Sequence, residues 1–253
     1  MILFTWEAVL LSLRSSTRFN CSLPSSVLFL NIKILGRKKR LRINQNALAN
    51  NVLEAGKPLY ETIKGKWNEV YFQNENPLVL ELACGKGEYS VGLAGVYPEK
   101  NFVGIDVKGD RLAIGSIQAI EKELPNVAYL RVNIIFIEDF FAEREVSEIW
   151  LTFPDPFNVK RRERRRLTHA LFLERYKRLM KPDGWLHLKT DNRELFDFTL
   201  TELANFGIRD LIHTYDLYQS YLNNAHFGIK TNFERIFTEK GFPVHYLRVR
   251  FAN

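Results

Sequence analysis

The feature that most constrains the fold is an alternation of short apolar runs with stretches of helical period. Pro77 opens the β run Leu78-Val79-Leu80-Glu81-Leu82-Ala83. The turn Gly85-Lys86-Gly87 then leads into a helical stretch stopped by Pro98. Asn101–Asp106 reads as a second strand. A helix with Ala113, Ile117, Ile120 and Leu124 on one face follows, with Asp110 as its cap and Pro125 at its end. Val127–Val132, Ile149–Phe153 and Trp185–Lys189 read as three further strands, with strand-like pieces at 208–215 and 244–251. Helices are predicted over 58–72 (Leu59, Ile63, Trp67, Val70), after a Thr168 cap (Phe172, Tyr176, Leu179) and over 193–206. Lys181–Gly184 reads as a turn. This order predicts an α/β fold, a doubly wound and mostly parallel sheet with helices on both faces.

Composition narrows the class. The 253 residues are 46% hydrophobic and 26% charged, the balance of an ordinary globular protein. No run reaches eighteen uncharged apolar residues, so no transmembrane helix and no membrane partner are expected. Cys21 and Cys84 cannot build a disulfide framework and suit a reducing compartment, which predicts a cytoplasmic protein. The five histidines lack metal-ligand spacing, and no metal site is expected. Residues 1–35, with Glu7 in the first apolar patch and a Ser-rich stretch around Pro24, differ from the rest. They are predicted to be an N-terminal extension, poorly ordered or an artefact of an upstream start, ahead of one domain over 36–253. The net charge of +7 is concentrated. Residues 37–42 and 160–166 carry +5 each, which leaves −3 for the remainder. Two dense basic tracts on a near-neutral body predict a polyanionic partner, nucleic acid first among them.

Open α/β sheets bind ligands at the carboxyl ends of their strands. Gly85 and Gly87 follow the first strand, and Asp106 ends the second, twenty-one residues after Gly85. A carboxylate there can accept both ribose hydroxyls of a nucleoside, in a dinucleotide or in S-adenosylmethionine. A dinucleotide fingerprint would want glycine at position 90, which is Ser90. Glu81, read as facing the same crevice, would repel a pyrophosphate but tolerate a sulfonium and an ammonium. S-adenosylmethionine is the cofactor these residues favour.

The fourth strand ends in Phe153-Pro154-Asp155-Pro156-Phe157, directly before the second basic tract. The two prolines stiffen the backbone around Asp155. Asp191, after the fifth strand, adds a second carboxylate. Two carboxylates can hold the N1–H and amino donors of guanine and leave its N7 lone pair free. Adenine-N6 chemistry instead uses D/N-P-P-aromatic, and Asp155-Pro156-Phe157 lacks the second proline. Another nucleobase methyltransferase and an inactive RNA-binding module stay open on these residues alone.

From about Lys57 to Arg250 the chain resembles the bacterial tRNA (guanine-N7-)-methyltransferases, the TrmB family. The likeness is carried by Leu80–Gly87, Gly104-Ile105-Asp106, Phe153-Pro154-Asp155-Pro156, Arg165-Arg166-Leu167, Lys189-Thr190-Asp191 and Thr231-Asn232-Phe233-Glu234. It implies a Rossmann-like class I methyltransferase fold with a seven-stranded sheet, S-adenosylmethionine as methyl donor, and the variable-loop guanosine of tRNA as substrate. By that resemblance Glu81, Gly85, Gly87, Asp106, Asn133 and Asp155 match cofactor positions, and Asp155 also the catalytic one. Asp191 and Thr231, Asn232, Phe233 and Glu234 match substrate positions. Asn133 stands where many members carry Asp, which keeps a hydrogen bond to adenine but no charge. The family's substrate lysine aligns with Val159, and the adjacent Lys160 is taken in its place. On local grounds alone Thr231–Glu234 reads as a capped helix start, with Glu234 completing a capping box.

Overall fold

The computed structural model describes residues 38–252. The expectations for residues 1–35 lie outside them. Of the described residues, 39–252 belong to one compact unit. Among the described residues no helix is long and apolar enough to cross a membrane.

The chain builds an eight-stranded sheet. The strands are β1 (Val52–Leu53), β2 (Leu78–Leu82), β3 (Asn101–Asp106), β4 (Val127–Arg131), β5 (Val146–Thr152), β6 (Met180–Thr190), β7 (Ile208–Thr214) and β8 (His245–Phe251). Their spatial order is β1-β4-β3-β2-β5-β6-β8-β7. All neighbours run parallel except β8, which is antiparallel to both β6 and β7. The chain steps outward from β2 through β3 to β4, then returns to place β5 beside β2. That reversal creates a switch point between the carboxyl ends of β2 and β5. The eighth strand, absent from the expected seven, is the two-residue β1 at the edge.

Helices α2 (Glu88–Val96), α3 (Gly109–Glu121), α4 (Ala170–Leu179), α5 (Arg193–Ala204) and α6 (Asn232–Glu239) follow a first helix, α1, over 38–48. All five residues of β2 are buried, as befits a central parallel strand covered on both faces. Its alternating side chains feed two cores. Leu78, Leu80 and Leu82 join Phe172 and Tyr176 of α4 and Phe196 of α5. Val79 joins Tyr89 of α2 and Leu112 of α3 on the other face, with Tyr129, Trp150 and Tyr246.

Several local expectations are corrected. Residues 58–66 are turns, and only Trp67–Phe72 is helical, as a π-helix. Leu59 and Gly65 sit at φ of 71° and 73°, which no right-handed helix accepts. The apolar stripe is core nonetheless: Trp67 is fully buried, donates to the Phe140 carbonyl at 2.9 Å and stacks on Phe141. Lys108, not Asp110, is the cap of α3, and Asp110 lies in the first turn, where its charge favours the helix dipole. His169 caps α4 by accepting from the Leu171 amide, while Thr168 is buried and accepts from the Thr199 hydroxyl at 2.8 Å. Lys181–Gly184 falls within β6 but leaves the ladder, since Val146 pairs with Met180 and Glu148 with Trp185.

Candidate active site

At the switch point two cavities, of about 440 and 300 Å³, open beside one another. Ala83, Arg111, Phe153 and Asp155 line both, so they form one divided cleft. Gly85, Glu88, Thr231, Asn232 and Phe233 complete the larger chamber. Asp106, Asn133 and Arg165 face the smaller one.

The floor is the turn after β2. Ala83, Gly85 and Gly87 take φ of 56°, 58° and 66°, three left-handed residues in five. Gly87 has a second reason to be glycine: a Cβ there would stand 2.5 Å from the Tyr129 hydroxyl oxygen. Gly85 has nothing within 4 Å of that direction, so the backbone lies bare to the cleft. Its amide donates to Asp106 Oδ2 at 2.9 Å, and the Lys108 amide donates to Oδ1 at 2.8 Å. Two backbone donors thus hold Asp106 at the lip of the smaller chamber. Asn133 caps the short helix Ile134–Asp139 through its Oδ1 and stands exposed at that chamber's edge.

Glu81 does not face the crevice. It is 4% exposed, with Oε2 accepting from the Ser90 amide and hydroxyl and Oε1 from the Thr152 hydroxyl. It therefore ties β2 to α2 and β5 beneath the glycine turn. Burial pushes its carboxyl up to about 7, against the lowering pull of those hydrogen bonds.

Asp155 is exposed in the loop after β5, flanked by Phe153 at φ 50° and Phe157 at φ 43°. Such backbone is costly for bulky residues and persists where the surroundings impose it. Arg166 is what holds it. This arginine, the last residue of the second basic tract, is 1% exposed. Its Nε donates to the Pro156 carbonyl at 2.8 Å and its Nη2 to the Phe157 carbonyl at 3.4 Å. Nη2 also pairs with Glu194 at 2.5 Å, and the guanidinium lies over the Phe198 ring.

The Thr231–Glu234 segment begins α6 with the expected capping box. Thr231 Oγ1 accepts from the Glu234 amide at 3.0 Å, and Glu234 Oε2 from the Thr231 amide at 3.2 Å. Glu234 is fully buried and pairs with the buried Lys189 at 2.5 Å, and Tyr218 donates to it as well. It is no direct substrate contact, which corrects that expectation; Thr231, Asn232 and Phe233 do line the cleft. Lys189 also donates to the Tyr89 hydroxyl at 3.0 Å, and Tyr89 meets His226 Nδ1 at 2.5 Å. Burial lowers the Lys189 ammonium and takes the His226 imidazole down to about 3. Asp191 follows β6, half-buried, with burial raising its carboxyl; it lines neither chamber. Lys160 opens the exposed turn Lys160–Arg165 and also lines neither; within this tract Arg165 is the residue that lines the cleft.

Sequence reasoning missed Arg111, Tyr89, Tyr218 and His226, and it placed Arg166 in a basic tract and a motif without its role as a clamp. Arg166 is indistinguishable in the sequence from its five basic neighbours, and the others follow no local pattern. Only Lys189 carried a signal, as a charged residue inside an apolar strand run.

A parallel sheet with one antiparallel strand inserted near its edge, and a glycine turn facing an acidic strand end at its switch point, defines a class I methyltransferase. Residues 75–247 match the family described as putative methyltransferase. Solved structures share the fold. A structure titled "Structure of an Antibiotic Related Methyltransferase" superimposes with a TM-score of 0.57 at 16% identity, over 81% of this chain and 98% of that one. The 16S rRNA (adenine(1408)-N(1))-methyltransferase from Catenulisporales acidiphilia gives 0.55 at 18% identity, over 81% and 98%. Curated relatives are far more similar. The tRNA (guanine-N(7)-)-methyltransferase of Cytophaga hutchinsonii is 43% identical over 86% of this chain and 99% of its own. That of Christiangramia forsetii is 44% identical over 85% and 99%. The chain belongs to the tRNA (guanine-N(7)-)-methyltransferase family.

Proposed function

We propose that this protein transfers a methyl group from S-adenosylmethionine to N7 of a guanosine in the variable loop of tRNA. The observation that carries this reading is the position of Asp155, exposed where the two chambers meet and shared by both.

The residues fit the methyl donor. Asp106 is held by two amides with lone pairs left for ribose hydroxyls, Asn133 offers an amide at the edge of the same chamber, and Gly85 leaves the floor open. When bound, S-adenosylmethionine supplies a methyl carbon on a positively charged sulfur. The larger chamber then takes the base. Asp155 and Glu88 are the carboxylates facing it, with the Thr231 and Asn232 side chains opposite. Guanine N7 bears no proton, so these residues need not remove one. Methylation leaves the purine ring cationic, and Asp155 stabilises that developing charge from a fixed position. The work of the protein is orientation and electrostatics, and the Arg166 clamp on the Asp155 loop serves both.

The test incubates unmodified tRNA with labelled S-adenosylmethionine and cleaves the product at 7-methylguanosine. Asp155→Ala should lower the rate by at least about a hundredfold while calorimetry shows donor binding retained. Full activity in that variant would remove the proposed mechanism.

A further inference from the structure

The cleft is continued outward by aromatic rings that the chemistry above does not use. Phe153, on the wall shared by both chambers, lies 5.6 Å from Phe233 between ring centroids. Phe233 stacks on Phe237 at 4.2 Å and 29°. Phe237 lies 5.9 Å from Phe242. The file runs along α6 and past its end.

Its geometry is fixed locally. Phe233 and Phe237 are one helical turn apart. The helix then closes in a Schellman turn: Gly241 takes φ 80°, its amide donates to the Thr238 carbonyl at 3.0 Å, and the Phe242 amide donates to the Phe237 carbonyl at 3.2 Å. Phe242 is thereby pressed toward Phe237. At the other end the capping box, locked by the buried Lys189–Glu234 pair, sets the start of α6. The ends of the file are nevertheless open: Phe233 is 45% and Phe242 52% exposed, Ile236 beside them 43%, and Phe237 between them is half-buried. Rigid exposed apolar surface of this kind marks a docking site. Lys230, Arg235 and Lys240 are exposed along the same segment with Glu239 as its one exposed acid, Glu88 accepts from the Asn232 amide at its start, and Lys240 lies over the Phe237 ring. The surroundings suit a polyanion, and the file is continuous with the chamber assigned to the base.

We propose that Phe233, Phe237 and Phe242 form a stacking track for the unpaired nucleotides flanking the target guanosine. The inference rests on the tRNA reading above. Extruding one base from folded RNA unstacks its neighbours, and aromatic side chains replace the lost stacking with little demand on sequence.

The experiment measures binding of unmodified tRNA to Phe237→Leu, Phe242→Leu and Phe237→Trp, with the unfolding midpoint of each. Leucine keeps apolar bulk and loses the π-face. Each leucine variant should bind about five- to 150-fold more weakly, the range of one lost stack. The salt dependence of binding and the affinity for S-adenosylmethionine should not change, and Phe237→Trp should restore affinity. A purely structural packing role for these rings would not give that pattern. In parallel, tRNA carrying 5-iodouridine beside the target guanosine should photo-crosslink to residues 233–242. Unchanged tRNA affinity in both leucine variants overturns the track. So does sedimentation showing a dimer that buries these rings. A wild-type protein that forms no 7-methylguanosine would sink the tRNA reading itself, whereas methylation with stacking-insensitive variants sinks the track only.

Discussion

Single residues in this site divide by whether their charge faces the cleft or the interior. Asp106 and Asp155 face it; Glu81 and Glu234 do not, although all four occupy motif positions in the sequence. An acidic residue one step before the end of a parallel strand points to one sheet face or the other, and side-chain alternation alone cannot say whether that spot is ligand or core. For Glu81 it is core, and this has a thermodynamic consequence. Burial raises its carboxyl from 4.5 to about 7. Between those values the folded protein binds a proton that the unfolded chain has released, so stability falls as pH rises through this window. The full effect is about 3 kcal/mol. Glu81→Gln keeps the shape and can still accept from the Ser90 amide. Urea unfolding at pH 5 and pH 8 should show wild type losing stability across the interval, with that contribution absent in the variant. An identical loss in both would show that Glu81 is not the group responsible.

Elements explain why much of the fold was legible and part of the site was not. β2, β3 and β4 are apolar runs bounded by Pro, Gly and Asp, and their limits follow from those residues. Residues 58–72 misled because Leu59, Ile63 and Trp67, at helical spacing, reach the core from turns and the start of a short π-helix. Local period reports burial as readily as conformation. The capping box at Thr231 was readable, because both its partners lie within four residues. Its lock was not, because Lys189 lies on β6 and Tyr218 on a loop. That pair joins two elements across the cleft wall, and with side chains 1% and 0% exposed it stands almost wholly out of water. Lys189→Met leaves the Glu234 carboxylate buried and without its cation, at a cost of about 3–5 kcal/mol. Lys189→Met with Glu234→Gln should cost clearly less than the two single changes added together. Additive losses in a double-mutant cycle from urea melts would show that the two side chains are not coupled.

At the scale of the whole molecule the charge distribution sets how a folded polyanion meets the cleft. Lys39, Arg40 and Arg42 are exposed on α1, which Asn46 ties to the Gly109 carbonyl at 2.8 Å, next to Lys108 at the smaller chamber. Lys160, Arg161, Arg162, Arg164 and Arg165 are exposed just beyond Asp155. Basic residues thus lie on two segments next to elements that border the cleft, α1 through Asn46 and the turn after Asp155. The second tract is not uniform, however. Its last member, Arg166, is spent on the Pro156 and Phe157 carbonyls and on Glu194. Exposed arginines that meet phosphates displace counterions, so log affinity for tRNA should fall linearly with log salt, by about 0.7–0.9 per phosphate contacted. Replacing Arg161, Arg162 and Arg164 together by Ala should weaken tRNA binding and reduce that slope by about two. Arg166→Ala should do the reverse: the salt slope stays, the unfolding midpoint drops, and methylation slows as the Asp155 loop loses its clamp. Filter-binding titrations across a salt series, paired with thermal melts, separate the two signatures. If the triple variant kept the wild-type slope, the tract would not be an RNA-docking surface.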